Sequence, residues 1–289
     1  MTTVRARAPA KINLTLHITG QRDDGYHTLD SLVVFADVAD QLTATTAPDL
    51  RITVSGPFSE GVPTDETNLI LRAAEALRTK RGITAGAAIH LEKHLPHAAG
   101  IGSGSSDAAT ALLMLAQLWN VTPLSPSAPE ALALGADVPV CMRAPAPTRM
   151  TGIGEVLSSA PALPDCGIVL VNPMVAVPTG QIFDGLATKT NRAMEPIPDG
   201  MNFDDFADWL ARQRNDLLPP AAAIAPQIAK TLDRLGNIAG VEICGMSGSG
   251  ATCFALMRTM AEARQTARAL QIAETGLWVA PAQVMRATT

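Results

Sequence analysis

The chain has 289 residues, of which 47% are hydrophobic and 17% charged, so it has enough apolar surface to form a large core. Its formal net charge of −5 argues against non-specific nucleic-acid binding, which depends on clustered lysine and arginine. The four cysteines form no CxxC pair, which favours a reducing compartment. No uninterrupted apolar stretch approaches the roughly 18 residues of a membrane span, so we expect a soluble, cytoplasmic protein.

The first part of the chain has the pattern of strands and turns, followed by a helix. Lys11 to Ile18 alternates with a period of two, as in a half-buried strand, and Asp24-Gly25 is typical of a hairpin turn. Leu32 to Val38 and Leu50 to Val54 continue the β pattern. Asn68 to Leu77 then carries apolar residues at helical spacing, which predicts the first helix.

A strand, a loop and a helix follow one another in the next segment. Ala88 to Leu95 alternates as a strand, Gly100 to Ser106 is rich in glycine and serine, and the apolar sequence after Asp107 is helix-forming. A short helix then leads to the turn Gly135-Ala136-Asp137-Val138-Pro139. Prolines and glycines near residue 150 predict a boundary there, with one domain at 1–150 and another at 151–289.

The second half is predicted to be an α+β layer of helices on an antiparallel sheet. Alternating apolar residues predict its strands, and apolar residues three and four apart predict its helices. The strands are Gly167–Val171, Val241–Ile243, Thr252–Leu256 and Leu277–Ala280, and the helices are Phe203–Arg212, Ala222–Leu235 and Ala261–Glu274.

The loop Gly100 to Ser106 lies between a predicted strand and a predicted helix. Free backbone N–H groups and the helix dipole make this position an anion site, and glycine lets a phosphate approach the backbone. Ser105 and Ser106 would add hydroxyl donors, and Asp107 would help to cap the helix or orient a metal-bound water. The alternative is a flexible loop with a serine N-cap.

The loop differs from two other phosphate-binding sequences. It lacks the Gly-Lys-Ser/Thr ending of a Walker A motif. It also has Ser105 where the dinucleotide fingerprint needs glycine, and no acidic residue follows at a strand end about 20 residues on. A dinucleotide-binding oxidoreductase is therefore the weaker alternative.

Five segments together resemble the GHMP kinase superfamily, which includes the galactose, homoserine, mevalonate and phosphomevalonate kinases. Three match motifs of the whole superfamily: Pro9 to Leu14 (PAKINL), Pro96 to Ala109 (PHAAGIGSGSSDAA) and Gly245 to Ala251 (GMSGSGA). Ile18 to His27 and Leu134 to Pro139 resemble the branch that acts on 4-diphosphocytidyl-2-C-methyl-D-erythritol more than its relatives. The Gly-Glu-His of mevalonate and galactose kinases is missing.

This resemblance implies a fold and an activity. The fold would be a two-domain α/β (α+β) arrangement, with an N-terminal ATP-binding domain that resembles a ribosomal-protein domain and a C-terminal ferredoxin-like domain. The activity would be transfer of the γ-phosphoryl group of ATP, in a cleft between the domains, to the 2-hydroxyl of a cytidine diphosphate-linked methylerythritol in the non-mevalonate isoprenoid route. ATP and Mg²⁺ are the implied cofactors, but no pair of carboxylates identifies the metal ligands.

The resemblance also implies which residues bind the nucleotide. They are Asn68, Lys93, Pro96, His97, Ala98, Ala99, Gly100, Ile101, Gly102, Ser103, Gly104, Ser105 and Ser106. Asn68 and Lys93 would lie near the adenosine. Ala98 and Ser103 stand where the family usually has glycine, which implies a stiffer backbone and a change in nucleotide affinity. The third motif, Ser247 to Gly250, would support the phosphate loop rather than contact substrate.

The catalytic residues implied by the resemblance are Asp137 and Lys11. Asp137 would accept the proton of the acceptor hydroxyl, while Lys11 would stand beside it, orient that hydroxyl and hold Asp137 ionised. Asn13 shares a strand face with Lys11 and would hydrogen-bond the acceptor. Without the resemblance, Asp137 could equally cap its turn, and Lys11 would be a solvated surface residue.

Four further residues are implied to bind the rest of the substrate. Tyr26 would stack on the cytosine, His27 would hydrogen-bond it, and Phe183 would form the opposite stacking face. Thr179, four residues before Phe183, would be the fourth substrate contact. The alternative for the aromatic residues is ordinary core packing.

Other interpretations stay open at this point. His90, His94 and His97 suggest a metal site, but strand residues four apart are about 13 Å apart, too far to share one zinc ion. A GHMP kinase of homoserine or mevalonate, the oxidoreductase above and a non-catalytic RNA-binding module are the alternative functions. The acidic charge disfavours the last. The sequence does not determine the oligomeric state.

Overall fold

A computed structural model describes residues 2–97 and 99–286 of the chain. These residues fold into two compact units, each assembled from three separate segments. The first contains 2–10, 39–97 and 102–143, and the second contains 11–38, 99–101 and 144–286. Because segments from the first 150 residues occur in both units, the division into domains 1–150 and 151–289 stays a prediction.

The elements are numbered in chain order. Up to Cys141 they are β1 (Thr3–Asn13), β2 (His17–Gln21), β3 (His27–Ala47), β4 (Leu50–Ser55), α1 (Leu69–Arg81), β5 (Gly86–Glu92), α2 (Ser103–Leu118), α3 (Pro129–Leu134) and α4 (Val138–Cys141). After it they are β6 (Thr148–Gly152), β7 (Val156–Ser159), β8 (Gly167–Asn172), α5 (Thr179–Asp184), α6 (Phe203–Ala211), α7 (Leu218–Ile224), α8 (Pro226–Gly236), β9 (Ile243–Met246), β10 (Cys253–Met257), α9 (Met260–Ala273) and β11 (Trp278–Gln283). Within residues 2–97 and 99–286, no helix combines the length and apolar character that a membrane span requires.

The first unit contains a sheet formed by β4, β5 and the end of β3. β5 is parallel to β4 and antiparallel to residues 41–47 of β3. Helix α1 connects β4 to β5, since parallel neighbours need a crossover connection. α1 packs against α2, and α2 contacts α4. The predicted strand from Ala88 is confirmed, although it ends at Glu92 rather than Leu95.

Helix α1 carries sequence signals at both ends. The Asn68 side chain accepts a hydrogen bond from Ile70 N at 2.8 Å, which satisfies one of the unpaired N–H groups of the first turn. Gly82 ends the helix with a φ of 64°, a conformation that favours glycine. The helix predicted from Asn68 to Leu77 is therefore confirmed and continues to Arg81.

Helix α2 begins at Ser103, four residues before the predicted start at Asp107. Gly102 directly precedes it in a left-handed conformation, with φ 56° and ψ 27°. The apolar sequence after Asp107 predicts the body of the helix. It does not predict the first turn, because serine and glycine have low helix propensity. The glycine- and serine-rich segment is therefore partly helix rather than entirely loop.

The second unit contains two groups of strands. The start of β3 pairs antiparallel with β2 and β6, and β6 pairs with β7. A separate antiparallel sheet has the order β11-β8-β10-β9, and helices α8 and α9 pack on it. Ile228 and Leu270 from these helices share a core with Val169 and Val171 of β8. The α+β layer predicted for the second half of the chain is confirmed.

The strand predicted from Lys11 to Ile18 is wrong as a single element, because β1 ends at Asn13 and β2 begins at His17. Between them, Leu14 N donates to Leu32 O and Leu16 N donates to Arg214 O, so the chain changes partners twice. Every side chain from residue 11 to 18 is buried, on both faces rather than one. The period of two is therefore not the signature of a half-buried strand here.

The helix predicted from Ala222 to Leu235 is also wrong as a single element, because α7 and α8 divide at Pro226. Proline has no N–H to donate, and its ring disfavours helical geometry at the preceding residue. Ala225 accordingly has φ −129° and ψ 85°. The short elements β6, β7 and α5 have no counterpart in the sequence prediction.

Candidate active site

The N-terminus of α2 carries predicted phosphate-binding residues of the first unit. The first N–H groups of a helix have no partner within it, and here they belong to Ser103, Gly104 and Ser105. A β-carbon built at Gly104 meets no heavy atom within 4 Å, so this part of the backbone faces open space. An accessible backbone at the positive end of a helix dipole suits a phosphate oxygen.

Two of the three serines in this turn use their hydroxyl groups within the protein. Ser103 Oγ donates to Pro96 O at 3.2 Å, and Ser106 Oγ donates to Pro9 O at 2.7 Å. Ser106 N also donates to Gly102 O at 2.8 Å. The prediction of Ser106 as a hydroxyl donor for a ligand is therefore wrong, because both of its donors are committed. The amides of the first turn are what this end of the helix offers to an anion.

A buried group of charges, here called the charged cluster, consists of Lys93, Asp40 and Asp107. Lys93 Nζ lies 2.5 Å from Asp40 Oδ2 and 2.6 Å from Asp107 Oδ2, and all three side chains are buried. Asp40 Oδ1 also accepts from His94 N at 2.5 Å and Leu95 N at 2.8 Å. The cluster thus fixes the chain on either side of the phosphate loop. The Lys93 ammonium, predicted to lie near the adenosine, is held between two carboxylates.

Asp107 does not cap α2, which corrects that prediction. The N-cap is Gly102, and Asp107 is the fifth residue of the helix, with its carboxylate turned to Lys93. Its Oδ1 is buried and has no hydrogen-bond partner among the described residues. Burial raises the pKa of Asp107 to about 7, with Lys93 opposing the rise and Asp40 adding to it. The cluster therefore contains one negative charge more than its lysine balances, unless it binds a proton.

In the second unit, residues 99–101 lie against the third glycine-rich motif. Ser247 Oγ donates to Gly100 O at 2.8 Å, and Thr252 N donates to Ala99 O at 3.1 Å. Gly100 has a φ of 73°, and a β-carbon there would clash with Ser247 O and lie 2.7 Å from Gly250 O. Only glycine fits this contact. The prediction that the third motif supports the loop is confirmed.

Lys11 and Asn13 lie at the end of β1 in the same unit. Lys11 is 3% exposed, and its Nζ donates to Asn13 Oδ1 at 2.8 Å. The backbone N–H groups of these residues donate to Ile101 O at 3.0 Å and to Ser247 Oγ at 3.0 Å, respectively. The predicted shared face is confirmed. The alternative of a solvated surface lysine is wrong.

Asp137 belongs to the first unit and is the N-cap residue of α4. It is half-buried, and its side chain makes no capping hydrogen bond, so the interpretation of this carboxylate as a cap is wrong. Two residues earlier, a β-carbon built on Gly135 would lie 3.9 Å from Ser105 Oγ. The structure therefore brings the turn that carries Asp137 next to the N-terminus of α2.

The residues predicted to bind a cytosine belong to the second unit. The rings of His27 and Phe183 stack, with centroids 5.1 Å apart and planes at 26°. Tyr26 follows the predicted turn at Asp24-Gly25 and is 60% exposed, so it is not a core residue. Thr179 Oγ1 lies 3.0 Å from Ser249 Oγ. The structure therefore joins His27 to Phe183, whereas Tyr26 presents its ring to solvent.

The His27 ring has a specific protonation state. Burial lowers the pKa of His27, and the nearby positive charge of Lys189 lowers it further, against the smaller effect of Asp184. The ring is therefore neutral at pH 7, with one nitrogen that donates and one that accepts. Its Nε2 is buried without a hydrogen-bond partner in the described part of the chain.

The other predicted nucleotide contacts have different surroundings. Asn68 is buried, and its Nδ2 donates to Pro63 O at 2.6 Å while its oxygen caps α1. His97 is exposed, with Nε2 3.0 Å from Glu60 O and its ring edge-on to Phe58. Ala98 lies outside the described residues. The roles of Asn68 and His97 at a nucleotide stay predictions.

Among residues 2–97 and 99–286, no three His, Cys, Asp or Glu side chains are placed to hold one metal ion. The His90 ring nitrogens lie 2.9 Å from Thr53 Oγ1 and 3.0 Å from Ser55 Oγ, on the exposed face of the sheet. His94 follows the end of β5 and pairs with Glu92 at 3.0 Å. The two histidines therefore have separate partners.

Sequence reasoning missed two buried polar residues of these networks, Asp40 and Ser31. Ser31 Oγ accepts from Asn13 Nδ2 at 2.8 Å, and Asp40 binds Lys93 as described. Both lie on β3 and are fully buried. For Ser31 the available signal was its place directly before the apolar run of this strand, because buried polar groups need specific partners. Asp40 had no such signal, since the exposed Asp37 ends that run.

Comparison with known proteins identifies the family. The sequence profile described as GHMP kinases N terminal domain matches residues 68–144, and that described as GHMP kinases C terminal matches residues 194–274. A relative from Ruegeria pomeroyi, named 4-diphosphocytidyl-2-C-methyl-D-erythritol kinase, is 50% identical over 285 residues, covering 98% of this chain and 99% of the relative. A relative of the same name from Dinoroseobacter shibae is 54% identical over 276 residues, covering 95% and 92%.

Solved structures agree with this result. A crystal structure of 4-(cytidine 5'-diphospho)-2C-methyl-D-erythritol kinase matches with a TM-score of 0.79 at 30% identity, over 98% of this chain and 100% of that one. A homoserine kinase from Cytophaga hutchinsonii matches with a TM-score of 0.74 at 17% identity, over 99% and 96%, and shares the fold. The predicted GHMP kinase fold is confirmed. The chain belongs to the GHMP kinase family, in its branch of 4-diphosphocytidyl-2-C-methyl-D-erythritol kinases.

Proposed function

We propose that this chain transfers the γ-phosphoryl group of ATP to the 2-hydroxyl of 4-diphosphocytidyl-2-C-methyl-D-erythritol, a step of the non-mevalonate isoprenoid route. The observation that carries the assignment is identity of 50% and 54% to relatives named for this activity, over nearly the whole of both chains. The homoserine and mevalonate kinases match at 17% and 12% identity, which supports a common fold and not a common acceptor.

The N-terminus of α2 is the proposed site for the ATP phosphates. Phosphoryl transfer depends on positioning and on neutralising phosphate charge. The amides of Ser103, Gly104 and Ser105 and the open space at Gly104 support this role. Mg²⁺ would enter with ATP and neutralise charge on its phosphates, since this ion usually binds through phosphate oxygens, water and few side chains. We assign no protein ligand to it.

For the acceptor hydroxyl, we propose Asp137 as general base and Lys11 as the cation that orients it. Two observations support these roles. Asp137 lies in the turn next to the α2 N-terminus, where the ATP phosphates are proposed to bind. The Lys11 ammonium is buried, which is unfavourable unless specific partners hold it, and Asn13 is one of them.

We propose that Tyr26, His27, Thr179 and Phe183 bind the cytidine end of the substrate. The exposed Tyr26 ring is available for stacking on a base. A neutral His27 offers a donor and an acceptor, which suits the edge of a cytosine. Phe183 stacks on the His27 ring, which supports its proposed place in the same pocket as a stacking face for the base.

The acceptor is tested by measuring ADP release with a panel of alcohols. We expect turnover with the cytidylylated methylerythritol and much lower kcat/KM with the uncytidylylated alcohol, homoserine and mevalonate. In a Tyr26→Ala variant the difference between the first two should shrink, because the base contact is lost. Equal turnover of homoserine by the wild-type enzyme would refute the assignment.

The base is tested with Asp137→Asn, which keeps the shape of the side chain. We expect kcat to fall roughly 10²- to 10⁴-fold with an unchanged melting temperature. Asp199→Asn is the matched control, since Asp199 is an exposed loop residue whose side chain accepts from Gly200 N. Undiminished turnover in Asp137→Asn would remove Asp137 from the mechanism.

A cytoplasmic location is the last part of the proposal. The thiols of Cys166, Cys244 and Cys253 are free, as expected in a reducing compartment. Burial raises the pKa of Cys166 and of Cys253 to about 12, so both stay protonated at neutral pH. Recovery of the enzyme in the periplasmic fraction of its cells would contradict this location.

A further inference from the structure

The Asn13 side chain connects two groups of opposite hydrogen-bonding character. Its Oδ1 accepts from Lys11 Nζ at 2.8 Å, and its Nδ2 donates to Ser31 Oγ at 2.8 Å. One end of a carboxamide only accepts and the other only donates, so only one of the two orientations of the amide satisfies both hydrogen bonds. If it were reversed, the NH₂ end would face the Lys11 ammonium and two donors would oppose each other.

Ser31 supports the same orientation of the amide from its other end. A serine hydroxyl has a single proton, and Ser31 Oγ donates it to Thr15 O at 2.5 Å. With that proton committed, Ser31 Oγ can only accept from Asn13, so it binds the NH₂ end. Ser31 has no exposed surface, which keeps solvent from taking over this contact.

The partner of Ser31 is itself held by strand β3. Thr15 Oγ1 accepts from Leu32 N at 2.8 Å and donates to Met194 Sδ at 3.1 Å. Leu14 N donates to Leu32 O at 2.9 Å. The carbonyl that receives the Ser31 proton is therefore fixed by bonds on both sides. Asn13, Ser31 and Thr15 are called the Asn13 network below.

We propose that Ser31 is a positioning residue for phosphoryl transfer, which holds the Asn13 amide with its oxygen towards Lys11 and thereby aims the Lys11 ammonium. Ser31 acts through Asn13 and need not touch the substrate. The inference rests on the proposed function, because the role of Lys11 is part of that proposal. It explains why a polar residue occupies a fully buried position on an apolar strand.

Steady-state kinetics of Ser31→Cys test the proposal. Cysteine fills the site, but its sulfur is a weak acceptor, so the amide loses the hydrogen-bond acceptor that holds its NH₂ end. We expect kcat to fall by about 10- to 100-fold, because a small misplacement of a catalytic group lowers the rate by this much. The KM for ATP should stay within about twofold of the wild-type value. Ser31→Thr retains the hydroxyl and should recover most of the kcat. Thr231→Ala, which removes a buried hydroxyl on α8 that donates to Gln227 O, is the control.

A double-mutant cycle separates orientation from packing. In Asn13→Asp the side chain has no NH₂ group, so Ser31 Oγ, whose proton is committed to Thr15 O, has no donor to accept from and no longer positions residue 13. Ser31→Cys should then change kcat by less than about threefold in the Asn13→Asp background.

The outcomes are distinct. An undiminished kcat in Ser31→Cys, or the same loss of kcat in both backgrounds, overturns the inference. Wild-type enzyme without activity on the cytidylylated substrate refutes the proposed function instead.

Discussion

The charged cluster of the first unit and the Asn13 network of the second are both buried, yet different physics holds them together. In the cluster, Lys93 attracts two carboxylates through a medium of low dielectric constant, which makes the attraction strong and leaves one negative charge unbalanced. In the network, uncharged groups are joined by bonds whose direction is set by which atom donates. Charge therefore fixes where chain segments meet, and donor direction fixes which atom faces which.

Removing the cation from the charged cluster should have the largest effect on stability. Lys93→Met leaves Asp40 and Asp107 buried without compensation, so we expect the free energy of unfolding at pH 8 to fall by about 3–5 kcal/mol. The control is Lys80→Met, which breaks a pair with Glu130 between side chains that are 48% and 27% exposed. That variant should lose less than about 1 kcal/mol. Equal losses in denaturant titrations would contradict the importance of the cluster.

The unbalanced charge of the cluster should make stability depend on pH. Since the pKa of Asp107 is raised to about 7, the folded chain keeps a proton that the unfolded chain loses above about pH 4. The free energy of unfolding therefore decreases as pH rises from about 4 to about 7, and Asp107 contributes most stability at the acidic end. In Asp107→Asn, the decrease in the free energy of unfolding between about pH 4 and about pH 7 should be smaller by about 2–4 kcal/mol. An identical slope in both proteins, measured by denaturant titration, would show that Asp107 does not titrate there.

Breaking the Asn13 network should have a smaller effect that does not depend on pH. Thr15→Val keeps the shape of the side chain but removes the acceptor of Leu32 N and the donor to Met194 Sδ. We expect the free energy of unfolding to fall by about 1–3 kcal/mol, equally at pH 6 and pH 8. A loss that changes with pH would reveal a titrating group in the network.

Gly104→Ala should keep or slightly raise stability while weakening nucleotide binding. Alanine favours a helix by roughly 0.5–1 kcal/mol over glycine, and the added carbon meets no protein atom. It would, however, occupy the space proposed for a phosphate, so we expect KM for ATP to rise about tenfold, or about 1.4 kcal/mol. Gly236→Ala in α8 is the control, because its β-carbon would be 3.8 Å from Cys244 Sγ. An unchanged KM for ATP in Gly104→Ala would show that the phosphates do not bind at this position.

The sequence predicts those parts of the fold whose signals are local. Helix α1 has its cap, its apolar spacing and its terminal glycine within one segment, and β8 is a continuous apolar run. The break at Ala225 was also local and was readable from Pro226. Strands β6 and β7 are short and mostly polar, so nothing in their own sequence distinguishes them from loop.

The candidate site likewise has parts that the sequence predicts and parts that it does not. The phosphate loop and Lys11 lie in motifs that are contiguous in sequence. The partners of the charged cluster are 53 and 14 residues from Lys93, and Ser31 is 18 residues from Asn13. Two of these pairs follow from the register of β3 against its neighbours and the third from the packing of α2, neither of which a single sequence contains. Burial of a polar residue was visible as a pattern, but the identity of its partner was not.

The order in which the second unit acquires its parts has a consequence for synthesis on the ribosome. Asn13 N bonds to Ser247 Oγ across 234 residues, and Leu16 N bonds to Arg214 O. The segment 11–38 emerges early, and although β2 and β3 pair with each other, its contacts with Arg214 and Ser247 have to wait until those residues have been made. Nascent chains stopped before that point should bind chaperones and be sensitive to protease, because contacts between distant segments form last.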